Sequence, residues 1–148
     1  MTNMIPSRIA GTGSYLPERL VNNEEVAAFL GLKDEDIFRV TGIRSRYWCG
    51  PEETCSDLGE QAARRALVSA GLSIEAVDAI FVSTTSPDNV LPSTACHLQR
   101  KLQAKPVPAF DLAASCTGFL YGLSTANAFI QSGQARCCLV VATEVKSR

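Results

Sequence analysis

A single cysteine stands inside the stretch FDLAASCTGFLYGL, which runs from Phe110 to Leu123. Cys116 lies where an apolar, strand-like run gives way to a helix-like run. A helix N-terminus carries unpaired N–H groups and a partial positive charge, and both favour a thiolate. Gly118 lets a substrate or another backbone come close, and N–H groups there could hold an oxyanion. The placement suits covalent acyl transfer, and the alternative is a buried structural cysteine at a tight junction.

The remaining cysteines and the histidine give weaker signals. The chain has six cysteines, no C-x-x-C pair and one histidine, His97, so it predicts no metal site. We expect the five cysteines other than Cys116 to be small buried or half-buried residues, with Cys137 and Cys138 pointing to opposite faces of a strand. His97 lies among basic and polar neighbours of a helix. We therefore expect the catalytic partners of Cys116 outside these 148 residues.

Composition describes an ordinary globular protein. Of its 148 residues, 46% are hydrophobic and 20% are charged, enough for one compact domain. Fourteen basic residues nearly balance fifteen acidic ones. The chain therefore has no net positive charge that would indicate binding to nucleic acid or to an anionic membrane. The N-terminal MTNMIPSRIAGTG lacks the apolar core of a signal peptide, and no apolar run approaches the roughly 20 residues of a membrane span. We expect a cytoplasmic protein.

Strand-like and helix-like runs alternate along the chain. The predicted strands cover residues 8–16, 44–50, 79–84, 108–112 and 137–142, and the predicted helices cover 24–32 (with Gly31 as its stop), 34–40, 56–70, 94–102 and 117–132. This alternation favours an α/β fold with a mainly parallel sheet. The last helix is apolar on nearly all sides, so it should be central and covered on both sides. That cover predicts a partner chain or a further domain.

Several segments together resemble the β-ketoacyl-acyl-carrier-protein synthase III family, the initiating condensing enzymes of bacterial fatty-acid synthesis. The matching segments, in the family's order, are GTGSYLPERLVNN, VTGIRSRYW, STTSPDNVLPSTACHLQ, FDLAASCTGFLYGL and CCLVVATEVKSR. The resemblance implies a thiolase-like fold, built from two similar βαβαβαββ halves, each with a mixed, mainly parallel sheet. Residues 1–148 would be the N-terminal half, with the C-terminal half absent and the helix after Cys116 as the buried central helix.

The resemblance also implies an activity. In the family, an acyl group moves from a thioester onto a cysteine that matches Cys116. A malonyl-carrier protein then loses CO₂, and its carbanion attacks the acyl-cysteine, assisted by a histidine and an asparagine of the second half. The implied substrates are acyl-CoA and acyl carrier protein, without a metal or other cofactor, and the implied assembly is a homodimer. We predict that this chain alone does not condense.

This sequence departs from the family at two positions that bind CoA. Family members that use acetyl-CoA sandwich its adenine between a tryptophan and an arginine, in a segment resembling DEDIFRVTGI. The matching positions here are Asp36 and Val40. Arg39 lies one residue before the arginine position, where a helix turns the side chain by about 100°. Two interpretations stay open: a carrier-protein donor with a role in secondary metabolism, or CoA binding through other contacts, with Arg39 as a candidate contact.

A second departure concerns the acyl pocket. In the family, one residue of the loop matching SPDNVLPS reaches across the dimer and closes the partner's pocket. Its match is Leu91, where acetyl-specific members tend to carry phenylalanine. The smaller leucine predicts room for a primer longer than acetyl. The alternative is that Leu91 only packs at the interface.

Other functions remain open at this stage. A starter-unit acyltransferase, an HMG-CoA-synthase-like enzyme or a thiolase-like enzyme would also use a cysteine at the start of this helix. A non-enzymatic alternative is a half-domain that only dimerises, or a truncated gene product. If the chain is such a half-domain, the apolar face that it leaves uncovered would mark an interface.

Overall fold

The computed structural model describes residues 6–147, so Met1–Ile5 and Arg148, at the ends of two segments discussed above, lie outside the described residues. The described chain forms two compact units. The first contains residues 6–15 with Thr54–Val145, and the second contains Leu16–Glu53 with residues 146–147. Cys116 and Leu91 belong to the first unit, and Arg39 belongs to the second.

Five strands and five α-helices occur in the described residues. The strands are β1 (Arg19–Asn22), β2 (Ser45–Trp48), β3 (Ala79–Ser83), β4 (Ala109–Leu112) and β5 (Cys138–Ala142). The helices are α1 (Asn23–Leu30), α2 (Asp34–Thr41), α3 (Cys55–Ala70), α4 (Thr94–Leu102) and α5 (Gly118–Gln131). Two 3₁₀ turns, Ile74–Ala76 and Ser115–Thr117, complete the list.

The first unit is built on a parallel three-stranded sheet in the order β4-β3-β5. Ile80 of β3 lies opposite Ala109 of β4 and Leu139 of β5. All five residues of β3 are buried, as the continuous apolar run predicts for a strand covered on both faces. The prediction of an α/β fold with a mainly parallel sheet is confirmed.

Side chains alternate between two cores across this sheet. Ile80 and Val82 pack with residues of α3 and α4 on one face. Phe81 packs on the other face with α5, where its ring lies 5.0 Å from that of Phe129. Cys137 and Cys138 join opposite cores, so the prediction of opposite faces is confirmed.

Helix boundaries follow their local signals. The Asn22 side chain caps α1 by accepting from Glu25 N–H. Thr54 and Asp57 form a reciprocal capping box at the start of α3. Ser93 caps α4 as predicted. Gly31 ends α1 at φ +66°, a left-handed conformation that suits glycine.

The N-terminal segment contradicts the sequence prediction. Residues 8–16 were predicted as a strand, but they pair with no strand among residues 6–147. They run against α3 instead: a Cβ on Gly13 would lie 2.3 Å from Ala66 N. The Arg65 guanidinium donates to Ser14 O at 2.7 Å. The alternating glycines that resemble a strand pattern therefore serve a close approach to a helix backbone.

The second unit combines α1 and α2 with an antiparallel β1–β2 pair, in which Arg19 lies opposite Trp48. Its buried polar centre is Asn23. The Asn23 amide donates to Ile43 O at 2.8 Å and accepts from Arg46 Nη2 at 2.6 Å. The Arg19 guanidinium stacks over the Trp48 ring, 5.1 Å from its centre.

Helix α5 buries one side against the sheet. Its buried residues are Gly118, Gly122 and Ala126, which lie on one face because they are four residues apart. Because all three are small, this face of the helix packs close to the strands. Phe119 and Leu120 are exposed on the rest of the helix. The prediction that α5 is covered on both sides by a further layer stays a prediction. Among residues 6–147, no helix is long and apolar enough to cross a membrane.

Candidate active site

Cys116 lies in the 3₁₀ turn Ser115–Thr117, between the end of β4 and the first residue of α5. Its side chain is exposed, whereas the five other cysteines are buried or half-buried, and all six are free thiols. The structure therefore confirms the predicted difference in burial between Cys116 and the rest. An exposed thiol at the carboxyl end of a parallel sheet is accessible to a substrate.

The turn that carries Cys116 has unusual backbone geometry. Ser115 has φ +48°, in the left-handed region that a non-glycine residue rarely adopts. The Thr117 N–H and hydroxyl both donate to Ala114 O, at 3.2 Å and 2.8 Å, and so hold the turn. Strain of this kind costs on the order of 1–3 kcal/mol and concentrates at functional sites.

Carboxylates cap two of the helices that begin at this edge of the sheet. At α3, Asp88 accepts from the Ser56 N–H at 2.8 Å and from the Ser56 hydroxyl. At α4, Asp111 of β4 accepts from the N–H groups of Thr94 and Ala95, each at 2.8 Å. The positive ends of α3 and α4 are thus neutralised by side chains.

The N-terminus of α5 differs from these two. No side chain among the described residues caps it, and its first turn contains no acidic residue. Its partial positive charge is therefore left for a group bound near Cys116. This is the arrangement that acyl transfer needs, since a thiolate and then an oxyanion must be stabilised at one place.

Gly118 has a packing role that the sequence alone did not reveal. A Cβ at this position would lie 1.9 Å from Ser83 Oγ, at the carboxyl end of β3. Only glycine lets the first turn of α5 sit this close to the strand. Gly118 was predicted to admit a substrate or another backbone, and the group that comes closest in the structure is instead the Ser83 side chain.

Burial raises the pKa of three other thiols, those of Cys55, Cys137 and Cys138. Burial raises the pKa of Cys138 to about 11. Burial also raises the pKa of Cys55, even though its side-chain hydrogen bonds with Thr84 and Thr143 act in the opposite direction. Cys55 Sγ lies 3.2 Å from both Thr84 Oγ1 and Thr143 O, inside the first unit. Neither of these cysteines has the exposure of a nucleophile.

His97 is half-buried on α4, and its Nε2 lies 3.2 Å from Asn89 Nδ2. No hydrogen bond joins His97 to Cys116 in the described residues. That the base for Cys116 lies outside this chain stays a prediction.

Comparison with known proteins supplies the family. Residues 110–148, which include Cys116, match the family model for 3-oxoacyl-[acyl-carrier-protein] synthase III. The synthase III of Thioalkalivibrio sulfidiphilus is 49% identical over 98% of this chain and 45% of its own length. The synthase III structure from Aquifex aeolicus superposes with TM-score 0.92 at 42% identity, over 96% of this chain and 46% of that one.

These similarities support the synthase III family for this chain. It spans about 45% of the length of the curated relatives that it matches. A priming β-ketosynthase of the R1128 polyketide pathway also superposes with TM-score 0.92, at 39% identity over 98% of this chain and 43% of that one. The fold of the described residues is accordingly that of half a thiolase-like synthase.

Asp36 and Val40, which were predicted to replace the two adenine contacts, lie on α2 in the second unit. Asp36 Oδ1 accepts from Arg39 Nη2 at 2.9 Å, so the predicted substrate contact is already paired. Val40 is 80% exposed and has no charge to offer. The Arg44 guanidinium stacks on Phe38, 4.0 Å from the ring centre, a contact that sequence reasoning missed.

Leu91 lies in the loop of residues 84–93, which joins β3 to α4. It is 82% exposed, and the adjacent Val90 is 89% exposed. Sequence reasoning singled out Leu91 but missed the carboxylates that hold this loop. Their signal was present as Asp88 inside the loop and Glu144 two residues after the end of β5.

Proposed function

We propose that this chain supplies the nucleophilic half of a 3-oxoacyl-[acyl-carrier-protein] synthase III that acts in fatty-acid biosynthesis. One observation carries the proposal: the exposed thiol of Cys116 stands at the uncapped N-terminus of α5. The similarity to synthase III enzymes over nearly the whole chain supports the same activity. The single nucleophile would be Cys116.

The first half-reaction transfers an acyl group. The Cys116 thiolate attacks the carbonyl carbon of an acyl thioester, and the carbonyl oxygen becomes an oxyanion stabilised by N–H groups of the turn. The oxyanion collapses, the bond to the donor sulfur breaks, and the donor leaves as a thiolate that takes a proton from water. The acyl group is then bonded to Cys116 Sγ.

The second half-reaction forms the carbon–carbon bond. A malonyl-carrier protein loses CO₂, and the resulting carbanion attacks the acyl carbon on Cys116. The bond to Sγ breaks, and the thiolate is regenerated beside the positive end of α5. We expect the histidine and asparagine that assist decarboxylation outside residues 1–148, so this chain alone should acylate without condensing.

The proposed function also implies an assembly, a location and two substrates. We propose a homodimer in the cytoplasm that takes its acyl group from acyl-CoA or an acyl carrier protein and its extender from a malonyl-carrier protein. The exposed apolar side of α5 supports a further layer of protein there, since large apolar patches usually lie at interfaces.

A second candidate is a starter-unit acyltransferase of secondary metabolism. It is favoured by Asp36 and Val40, which replace the two adenine contacts, and by the similarity to the R1128 priming enzyme. An aspartate cannot stack on adenine, and its charge repels phosphates. In this version a carrier protein, or a primer longer than acetyl, supplies the acyl group to Cys116.

Intact-mass spectrometry after incubation with acetyl-CoA tests the nucleophile. We expect a single acetyl adduct on the wild type, none on Cys116→Ala, and an unchanged adduct on the control Cys96→Ala, which removes a half-buried thiol. An adduct that persists in Cys116→Ala would contradict the proposal. If folded wild type gains no adduct from acetyl-CoA but gains one from an acyl-carrier protein, the starter-unit candidate is favoured.

A further inference from the structure

The loop of residues 84–93 shows an unusual combination of exposure and attachment. Its tip carries Val90 and Leu91, two large apolar side chains that are almost fully exposed. Connecting loops are ordinarily the mobile parts of a fold. This loop is instead fixed by carboxylates of three different segments.

Glu144 holds the start of the loop. Its Oε1 accepts from the Thr85 N–H at 2.8 Å and from the Thr85 hydroxyl at 2.9 Å, and its Oε2 accepts from the Ser86 hydroxyl. Ser86 Oγ in turn accepts from the Val145 N–H at 2.8 Å. Hydrogen bonds to a charged acceptor are about twice as strong as neutral ones, so Glu144 firmly joins the loop to the carboxyl end of β5.

Two further carboxylates hold the middle and the end. Asp88 binds Ser56 at the start of α3, and its own N–H donates to Thr94 Oγ1 at 3.3 Å. Asp111 holds the first N–H groups of α4, directly after the loop. Residues 89–92 lie between the anchors at Asp88 and Thr94, so these anchors restrict where Leu91 can lie.

We propose that Glu144 is a positioning residue for Leu91. By fixing Thr85 and Ser86 to the end of β5, it sets where the loop presents the Leu91 side chain, and so limits the length of the acyl chain that the enzyme accepts. This inference rests on the proposed function, since it takes Leu91 to border an acyl pocket. Glu144 itself contacts no substrate and acts through the loop.

Glu144 is the anchor that can be tested with least disturbance. Asp88 and Asp111 also neutralise the N-termini of α3 and α4, so their removal would weaken whole helices. Glu144 binds Thr85 and Ser86 at the start of the loop and caps neither helix. Its removal should release this part of the loop and leave both helix caps in place.

The decisive experiment is a double-mutant cycle in the full-length protein, using wild type, Glu144→Ala, Leu91→Phe and the double variant. The readout is the ratio of kcat/KM for hexanoyl transfer to that for acetyl transfer onto Cys116. We expect Glu144→Ala to raise this ratio about fivefold. Leu91→Phe should lower the ratio about fivefold when it is introduced into the wild type. The same substitution should lower the ratio less than about twofold when it is introduced into Glu144→Ala. Glu144→Gln, whose carbonyl still accepts from Thr85, should retain most of the wild-type ratio.

A merely structural role would reduce both transfers equally and leave the ratio unchanged. An unchanged ratio in Glu144→Ala would overturn the proposal. So would an equal effect of Leu91→Phe in the wild type and in Glu144→Ala. Glu75→Ala, which removes a glutamate from the 3₁₀ turn Ile74–Ala76, is the matched control and should leave the ratio unaltered.

Hydrogen exchange tests the attachment without any acyl donor. We expect the amides of Thr85 and Ser86 to exchange about tenfold faster in Glu144→Ala, with unchanged exchange in the Glu75→Ala control. Unchanged exchange in Glu144→Ala overturns the proposal at its first step. If the wild-type loop is protected but Cys116 takes no acyl group, the proposed function has failed, and the role in chain length fails with it.

Discussion

Gly118 and Ser83 meet where α5 starts above the end of β3, and the contact leaves no room for a side chain on the glycine. A Cβ on Gly118 would lie 1.9 Å from Ser83 Oγ and 3.0 Å from Ser83 Cβ. Gly118 comes two residues after Cys116, so this contact lies directly beside the candidate nucleophile. The packing of one glycine thus bears directly on the candidate chemistry.

Gly118→Ala should therefore destabilise the protein by about 1–3 kcal/mol, the usual range for overpacking a tight site. Urea unfolding followed by circular dichroism measures the change. We expect Ser83→Ala to restore part of the loss, because it removes the oxygen that the new methyl group meets. Gly59→Ala on α3 is the control: its Cβ would meet nothing closer than 3.4 Å, and alanine favours a helix interior. Equal losses at both glycines would contradict the steric explanation.

The sequence predicted those parts of the fold that short-range patterns determine. The continuous apolar run of β3 and the stop at Gly31 both appear in the structure where expected. Residues 8–16 were mispredicted because alternating small and apolar residues look alike in a strand and in a segment pressed against a helix. The distinction depends on Ala66 and its neighbours, about fifty residues away.

The candidate site shows the same division. Cys116 could be singled out because a small-residue junction before a helix is a local feature. The additional carboxylates at the starts of α3 and α4 could not, because the Asp88–Ser56 and Asp111–Thr94 bonds join residues far apart in the chain. The negative charge that they bring to α3 and α4, and that α5 lacks, is therefore visible only in the structure.

Asp57 should make stability depend on pH at the acidic end. Burial alone raises the pKa of this carboxyl group, but hydrogen bonds from Lys101 and Thr54 outweigh it and lower the pKa to about 2, from 3.8 in an unfolded chain. A lowered pKa stabilises the fold above the unfolded value, and this contribution is lost as the pH falls through about 4 to about 2.

Asp57→Asn should accordingly lower the free energy of unfolding at pH 7 by about 1 kcal/mol, mainly through the weakened cap of α3, and the difference from wild type should shrink toward pH 2. Urea unfolding at pH 7, 4 and 3 measures it. Lys101→Met removes the partner charge and should reduce the same pH dependence. A constant difference across this pH range would show that the Asp57 charge is not involved.

Leu91→Phe should narrow the preference for acyl length. Phenylalanine is larger and matches the residue of acetyl-specific relatives, so transfer of hexanoyl to Cys116 should fall about fivefold relative to acetyl, within the range for a pocket that loses room for a few methylenes. Val90→Phe is the matched control, because it adds the same ring at an equally exposed neighbouring position. An unchanged ratio in Leu91→Phe would remove Leu91 from the pocket.

Restoring the two adenine contacts should strengthen CoA binding. The double variant Asp36→Trp, Val40→Arg offers a ring for stacking and a cation for the phosphates, and it removes the carboxylate that now pairs with Arg39. We expect the Kd for CoA, measured by isothermal titration calorimetry, to fall about tenfold, equivalent to about 1.4 kcal/mol. Asp36→Asn separates the effect of the ring from the effect of the charge, because it removes the negative charge without adding a ring. It should give only a small part of the gain in CoA affinity. If the double variant binds CoA no better than wild type, CoA reaches the protein through other contacts, and α2 has no part in choosing the acyl donor.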